Sequence, residues 1–318
     1  MNNKHGCHIP APLQPGDLLW AVAPSGCLRE QLAFQRGVEI WRSRGYQVEL
    51  SPGIKHQWGY LAGEDCDRRQ QLLTALKDPD CRGILCARGG YGAMRLLEEW
   101  VWPWDYSNNE QSAISNQQSD SSPQIAPKWL IGFSDITALL WSLSRQGIAG
   151  VHGPLLTTLS DEPDWSTQRL FDWVAGLPLP PLQGIGWGGG QVTGQLLPAN
   201  LTVATHLLNT PLQPELAGSI LALEDVGEAP YRIDRMLTQW RLCGAFQAIN
   251  GIALGRFSQC QTPAAISSLT VEEVLRDRLS DLNIPIVSDL PFGHDGPNAA
   301  LPVGIPVQLD ADSGLLSW

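Results

Sequence analysis

No stretch of about eighteen consecutive apolar residues exists in the chain, which excludes a transmembrane helix of ordinary length. The opening segment, Met1 to Gly16, is polar and proline-rich and lacks the charged start and apolar stretch of a secretory signal. The expectation is a cytoplasmic protein that does not engage a membrane. Cysteine is sparse and unpaired in pattern: seven residues, scattered, with no C-x-x-C. That usage fits a reducing compartment, with thiols acting as small buried hydrophobes. No close Cys or His pairs have ligand spacing, so a structural zinc site is not expected. Basic residues are also few, 21 against 32 acidic ones for a net charge of −11, and none cluster. A nucleic-acid footprint is therefore absent.

What is present suits a chain with more than one core. The 318 residues are 43% hydrophobic, enough to bury two cores. Thirteen tryptophans are many for this length, and packing accounts for them before any ligand role is invoked. The first half alternates short apolar runs with amphipathic stretches, the pattern of βαβ units and a parallel sheet. Strands are expected at 18–23, 47–50, 83–87, 129–133 and 149–151, and helices at 28–44, 65–76, around Met94 to Leu97, and at 136–144. Residues 106–127 are almost all Ser, Asn, Gln and Asp and read as a surface insertion that cannot repay its ordering entropy. Residues 176–195, rich in Gly and Pro, read as a linker. Beyond it come strands at 219–223, 251–254 and 284–288, helices at 232–242 and 271–279, and a closing hairpin over 306–318. The fold class is α/β: an N-terminal parallel-sheet domain over 1–176 and a smaller mixed-β C-terminal domain over 177–318.

Three residues stand where chemistry is possible. Ser134 ends the apolar run Trp129-Leu130-Ile131-Gly132-Phe133 and opens a helix. A serine on such a turn exposes its hydroxyl beside free helix N–H groups, which can stabilise an oxyanion. The second glycine of G-x-S-x-G is replaced by Ile136, and a serine here also serves as a plain helix cap. Glu224 follows Leu221-Ala222-Leu223, which puts a carboxylate at a strand end and hence at a rim rather than deep in the core. His294 lies in the Gly- and Pro-dense loop Pro291-Phe292-Gly293-His294-Asp295-Gly296-Pro297. Imidazole is the side chain best suited to take a proton near neutral pH. His152, after a short strand, is the rival base. The glycine turn Arg88-Gly89-Gly90-Tyr91-Gly92 permits close backbone approach to a ligand but lacks the Walker pattern. A tight turn, a phosphate cradle and a source of oxyanion-hole N–H groups all remain open for it.

Taken in order, Ala87-Arg88-Gly89-Gly90-Tyr91-Gly92, Gly132-Phe133-Ser134-Asp135-Ile136-Thr137, Leu223-Glu224-Asp225-Val226-Gly227-Glu228, and Gly293-His294 with Asn298 and Leu301-Pro302-Val303-Gly304 resemble the LD-carboxypeptidase family, including its microcin-immunity members. The resemblance runs from about Gly16 to Trp318. It implies an N-terminal domain of the flavodoxin or glutamine-amidotransferase type, a smaller mixed-strand domain, and a homodimer. It also implies a serine peptidase with a triad of Ser134, His294 and Glu224 and an oxyanion hole from the N–H groups of Gly90 and Asp135. The implied reaction is removal of the terminal D-alanine from a murein tetrapeptide in cell-wall recycling, with no metal or organic cofactor. Arg88 and Arg232 are candidates for holding the terminal carboxylate, and Asn200 for a hydrogen bond in the site. The family often has Gly-Gly-Asn where this chain has Pro198-Ala199-Asn200. Rival readings are an immunity-type hydrolase of peptidyl-nucleotides or related amides, a non-catalytic binder of cell-wall peptides, and a nucleotide-binding regulator.

Overall fold

The computed structural model describes residues 6–98, 100–103, 126–262 and 267–318. Most of the polar insertion, residues 106–125, lies outside them. The first sheet is built from β1 (Leu18–Val22), β2 (Gln47–Leu50), β3 (Cys81–Cys86), β4 (Trp129–Gly132) and β5 (Gly150–His152). These pair parallel in the order β2-β1-β3-β4-β5, the flavodoxin-like winding. Its central strands are mostly apolar because helices cover them: β3, Cys-Arg-Gly-Ile-Leu-Cys, is buried but for the partly exposed Arg82, and β4 is fully buried.

The covering helices follow their apolar spacing. Helix α1 (Gln31–Ser43) buries Phe34, Val38 and Trp41, one stripe of a 3.6-residue repeat. It is shorter than the expected 28–44, since the chain turns helical only after Glu30. Helix α2 (Asp65–Lys77) and the single turn α3 (Ala93–Leu96) also lie in this half. Helix α4 (Thr137–Arg145) is buried at every position but the last, as a helix must be when it has protein on all sides. Helix α5 (Asp164–Val174) completes the set.

The segment expected to be a linker is largely strand. Residues Leu182–Gln183 form β6, Ile185–Trp187 form β7, and Gln191–Asn200 form the long β8. With β9 (Ile220–Val226), β10 (Gly251–Ser258), β11 (Ile286–Ser288), β13 (Pro306–Asp310) and β14 (Leu315–Ser317), they make an eight-stranded mixed sheet. Strands β6 and β7 sit at its opposite edges although a single residue, Gly184, separates them. The chain itself therefore bridges the two edges. The Gly and Pro content read as a linker instead serves this tight crossing: a side chain on Gly186 would lie 1.8 Å from the Ala311 carbonyl oxygen.

Helices α6 (Leu201–Leu207), α7 (Pro230–Leu242) and α8 (Val271–Leu279) accompany this sheet. Helix α7 begins two residues earlier than expected, with Pro230 in the first turn, where its missing N–H costs nothing. The chain then returns: β12 (Leu301–Val303) pairs antiparallel with β5 and extends the first sheet. Pro198 sits in the half of β8 that pairs with β9, beyond the end of its ladder with β13, so its missing N–H breaks no ladder there.

One apolar cluster runs from the first sheet through α4 to the second, joining Cys86, Ile136 and Leu139 to Leu197, Leu223 and Trp240. Trp141 is its centre. It is fully buried, its ring lies 6.4 Å from that of Trp240, and its indole N–H donates to the Pro198 carbonyl at 3.0 Å. Trp141→Ala is expected to cost about 3–5 kcal/mol of unfolding free energy, read by urea titration. No helix among the described residues is long and apolar enough to cross a membrane.

Candidate active site

Ser134 stands one residue, Phe133, beyond the end of β4 and has φ 63°, a left-handed conformation that costs energy for any residue but glycine. The turn of 3-10 helix over Ser134–Ile136 then leads into α4. This sharp reversal holds the serine hydroxyl off the end of the sheet. The glycine turn after β3 packs on it. A side chain at Gly89 would come 3.0 Å from Ser134 Cβ, 3.1 Å from its Oγ and 3.7 Å from the Asp135 N. Any larger residue there would crowd the serine. Gly90 beside it has φ 113° and packs on Gly26.

The sequence-predicted residues meet in one hydrogen-bonded chain. Ser134 Oγ lies 3.2 Å from His294 Nε2, and His294 Nδ1 lies 2.6 Å from Glu224 Oε2. Glu224 is 0% exposed. It is the fifth residue of β9, not a residue at a rim, because the strand continues to Val226. The carboxylate is kept in the interior by partners: Oε2 has the imidazole and Oε1 accepts from Asn200 Nδ2 at 3.2 Å. Asn200 also donates to Asp225 at 3.0 Å and accepts the Val203 N–H at 3.1 Å as the N-cap of α6. Its amide is therefore engaged by Glu224 and Asp225 and helps position the Glu224 carboxylate.

His294 is fixed from behind by Arg256 and Ser258, which the sequence reading did not single out, and by Asn298, which it did. Arg256 Nε donates to the His294 carbonyl at 2.9 Å and Ser258 Oγ donates to it at 2.7 Å. The Gly293 N–H donates to Asn298 Oδ1 at 3.0 Å, with Gly293 at φ 103° against Glu224. The signal for Arg256 was there: a charged residue inside the apolar run of β10. Burial pulls the His294 imidazole down, but the hydrogen bond and charge of Glu224, with Asp225 and Asp295, outweigh it and hold the group above its ordinary value. Burial also pushes Asp225 up to about 6, against its Thr202 hydrogen bond.

The Asp135 side chain ties the turns together. Its Oδ2 accepts from Ser25 Oγ at 2.6 Å and from the Ala93 N–H at 2.8 Å, linking the loop after β1, the start of α3 and the Ser134 turn. Burial raises this carboxyl above its ordinary value, although both hydrogen bonds oppose that. The rival base His152 is not in contact with Ser134. It is fully buried and pushed down to about 4 by its burial, against the pull of Glu224 and aided by repulsion from His294. Arg88 does lie at the glycine turn, but its guanidinium is engaged by the Cys27 carbonyl at 2.9 Å and Glu30 at 3.1 Å. Arg232 pairs with Glu228 at 3.3 Å and lines a surface cavity with Thr202, His206 and Arg235 that includes none of Ser134, Glu224 and His294. The geometry thus assembles three of the candidates, leaves Arg88 beside the glycine turn but engaged, and sets Arg232 apart.

Comparison with known proteins places this arrangement. Residues 20–153 match the LD-carboxypeptidase N-terminal domain, and residues 193–309 match the LD-carboxypeptidase C-terminal domain. The chain belongs to the LD-carboxypeptidase family. A putative carboxypeptidase of Synechocystis sp. is 57% identical over 309 residues, 97% of this chain and 96% of that one. The murein tetrapeptide carboxypeptidase of Pseudomonas aeruginosa is 31% identical over 314 residues, 93% of this chain and 94% of the relative. Among solved structures, muramoyltetrapeptide carboxypeptidase from Oxalobacter formigenes superposes with a TM-score of 0.75 at 28% identity, covering 94% of this chain and 97% of that one. In this LD-carboxypeptidase-family chain the first match runs from within β1 through β5 of the first sheet and carries Ser134, and the second carries Glu224 and ends at 309, beyond His294 and beyond β12, which returns to the first sheet.

Proposed function

We propose that the protein is a serine L,D-carboxypeptidase that removes the terminal D-alanine from murein tetrapeptides in cell-wall recycling. The observation that carries this reading is the unbroken chain Glu224–His294–Ser134, with the serine on a strained turn facing Gly89. Residues 1–176 supply the nucleophile, and residues 177–318 supply the base and its carboxylate. His294 Nε2 takes the proton as Ser134 Oγ attacks the carbonyl carbon. Glu224 holds the imidazole in the tautomer with Nδ1–H and balances the imidazolium that forms. The N–H groups of Gly90 and Asp135 receive the developing oxyanion. His294 then gives its proton to the departing amine of D-alanine. Water, activated by the same imidazole, clears the acyl-enzyme. The terminal carboxylate is met by backbone N–H donors and by Arg88, once Arg88 exchanges Glu30 for substrate. The protein works in the cytoplasm as a homodimer.

Incubating purified protein with a murein tetrapeptide and following products by mass spectrometry tests this directly. Release of free D-alanine, with a tetrapeptide ending in L-alanine left intact, is the expected result. An untouched D-alanine substrate beside turnover of a peptidyl-nucleotide would replace it with the immunity-type reading. The pH profile supplies a second expectation. His294 must be neutral to accept the serine proton, and its surroundings hold it above the ordinary 6.5. The kcat/KM profile should therefore rise with pH through a limb above 6.5. By linkage the same displacement stabilises the fold fully below the unfolded-state value, and that stability is lost as pH rises through the folded-state value. A limb at or below the ordinary histidine value would contradict the assignment.

A further inference from the structure

His152 is the most buried histidine among the described residues and has no place in the mechanism above. Neither ring nitrogen has a hydrogen-bond partner among the described residues, an arrangement that a buried polar ring tolerates only with compensation. The compensation is aromatic. The imidazole lies 5.8 Å from the Phe133 ring at 70° and 6.4 Å from the Phe292 ring at 90°, edge-to-face with both. Such a geometry sets the electropositive edge of one ring against the negative face of the next.

The identity of the two phenylalanines gives this its meaning. Phe133 is the residue immediately before Ser134, and Phe292 stands two residues before His294. Phe133 also packs on the His294 ring itself, at 4.7 Å between centroids. His152 is the last residue of β5, in register with Gly132 on one side and Leu301 on the other. Those neighbours belong to the strand that delivers Ser134 and the strand that follows the His294 loop. One rigid ring thus touches both approaches to the 3.2 Å gap between Ser134 Oγ and His294 Nε2.

We propose that His152 is a positioning residue, an aromatic spacer that sets the distance between the turn bearing Ser134 and the turn bearing His294. This rests on the reading of those two residues as nucleophile and base. The planar ring, not its ability to titrate, is what the site uses. His152→Phe keeps an edge-to-face ring of similar size. His152→Leu fills the space without one. His152→Gln keeps polar atoms without a ring.

The experiment compares steady-state kinetics of the three variants with wild type on the murein tetrapeptide, with folding checked by circular dichroism and thermal melting. The leucine variant should lose about 10–100-fold in kcat with KM little changed, the phenylalanine variant staying within roughly threefold of wild type. The proton NMR signal of the His294 Nδ1–H, downfield because of its short bond to Glu224, reads the same positioning without substrate. It should persist in the phenylalanine variant and shift or broaden in the leucine one. A folded leucine variant with wild-type kcat overturns the spacer role, as does a phenylalanine variant as impaired as the leucine one. If leucine does not fold, phenylalanine active and glutamine impaired supports the role, and the reverse overturns it. Wild type that releases no D-alanine would instead remove the functional reading, leaving the NMR comparison to judge the spacer.

Discussion

Ser134→Ala should lower kcat/KM for D-alanine release by about 10⁵-fold, leaving the fold intact. The magnitude follows from what the serine does in the proposed reaction. Without its oxygen no acyl-enzyme forms, and only transition-state binding by the remaining groups persists. Alanine meets the same left-handed backbone at φ 63° as serine does, so the strain of the turn is unchanged and the melting temperature should stay near wild type. The loss should not add to that of His294→Ala, because the two residues act as one unit: the double variant should be no worse than the serine variant alone. Mass spectrometry of the tetrapeptide reaction checks both statements. Activity of Ser134→Ala within tenfold of wild type would place the nucleophile elsewhere.

Glu224→Gln should be nearly as damaging, lowering kcat by roughly 10⁴-fold with KM little changed. The reason lies in a hydrogen bond behind the site. Asn200 Nδ2 donates to Glu224 Oε1, so a glutamine at 224 must present its carbonyl oxygen to Asn200. That leaves its NH₂ facing His294 Nδ1, which then accepts instead of donating. The imidazole proton moves to Nε2, the atom that must take the proton from Ser134. Shape is preserved while the tautomer is wrong. The charge that raises His294 is also gone, and burial, which lowers it, is the largest effect left. The acid limb of the residual activity should therefore move to lower pH. Asn200→Ala combined with Glu224→Gln releases the amide to turn, and partial recovery of kcat relative to Glu224→Gln alone would follow. A Glu224→Gln variant with wild-type kcat would show that the carboxylate does not set the tautomer.

Much of the protein was legible from sequence because its signals are local. The parallel sheet announced itself through short apolar runs alternating with helical stripes such as Phe34, Val38 and Trp41. Ser134 was visible because a strand, a small residue and a helix start follow one another within a few positions. His294 stood out through its Gly-rich loop, and the ordered blocks around all three residues carried the family. What the sequence could not determine depends on residues far apart in the chain. Gly186 read as part of a linker, and only closure of the second sheet against Ala311 turns it into strand. Glu224 read as a rim carboxylate because burying a charge is costly. The tertiary structure decides otherwise by bringing Asn200 from β8 and His294 from the loop after β11 to share that cost. His152 shows the same division: by type it is a base, but walled by Phe133 and Phe292 it is fully buried, and neither ring nitrogen finds a hydrogen-bond partner among the described residues. Sequence fixes which groups exist and which local turns present them. Distance, burial and the partner each group finds are properties of the folded chain alone.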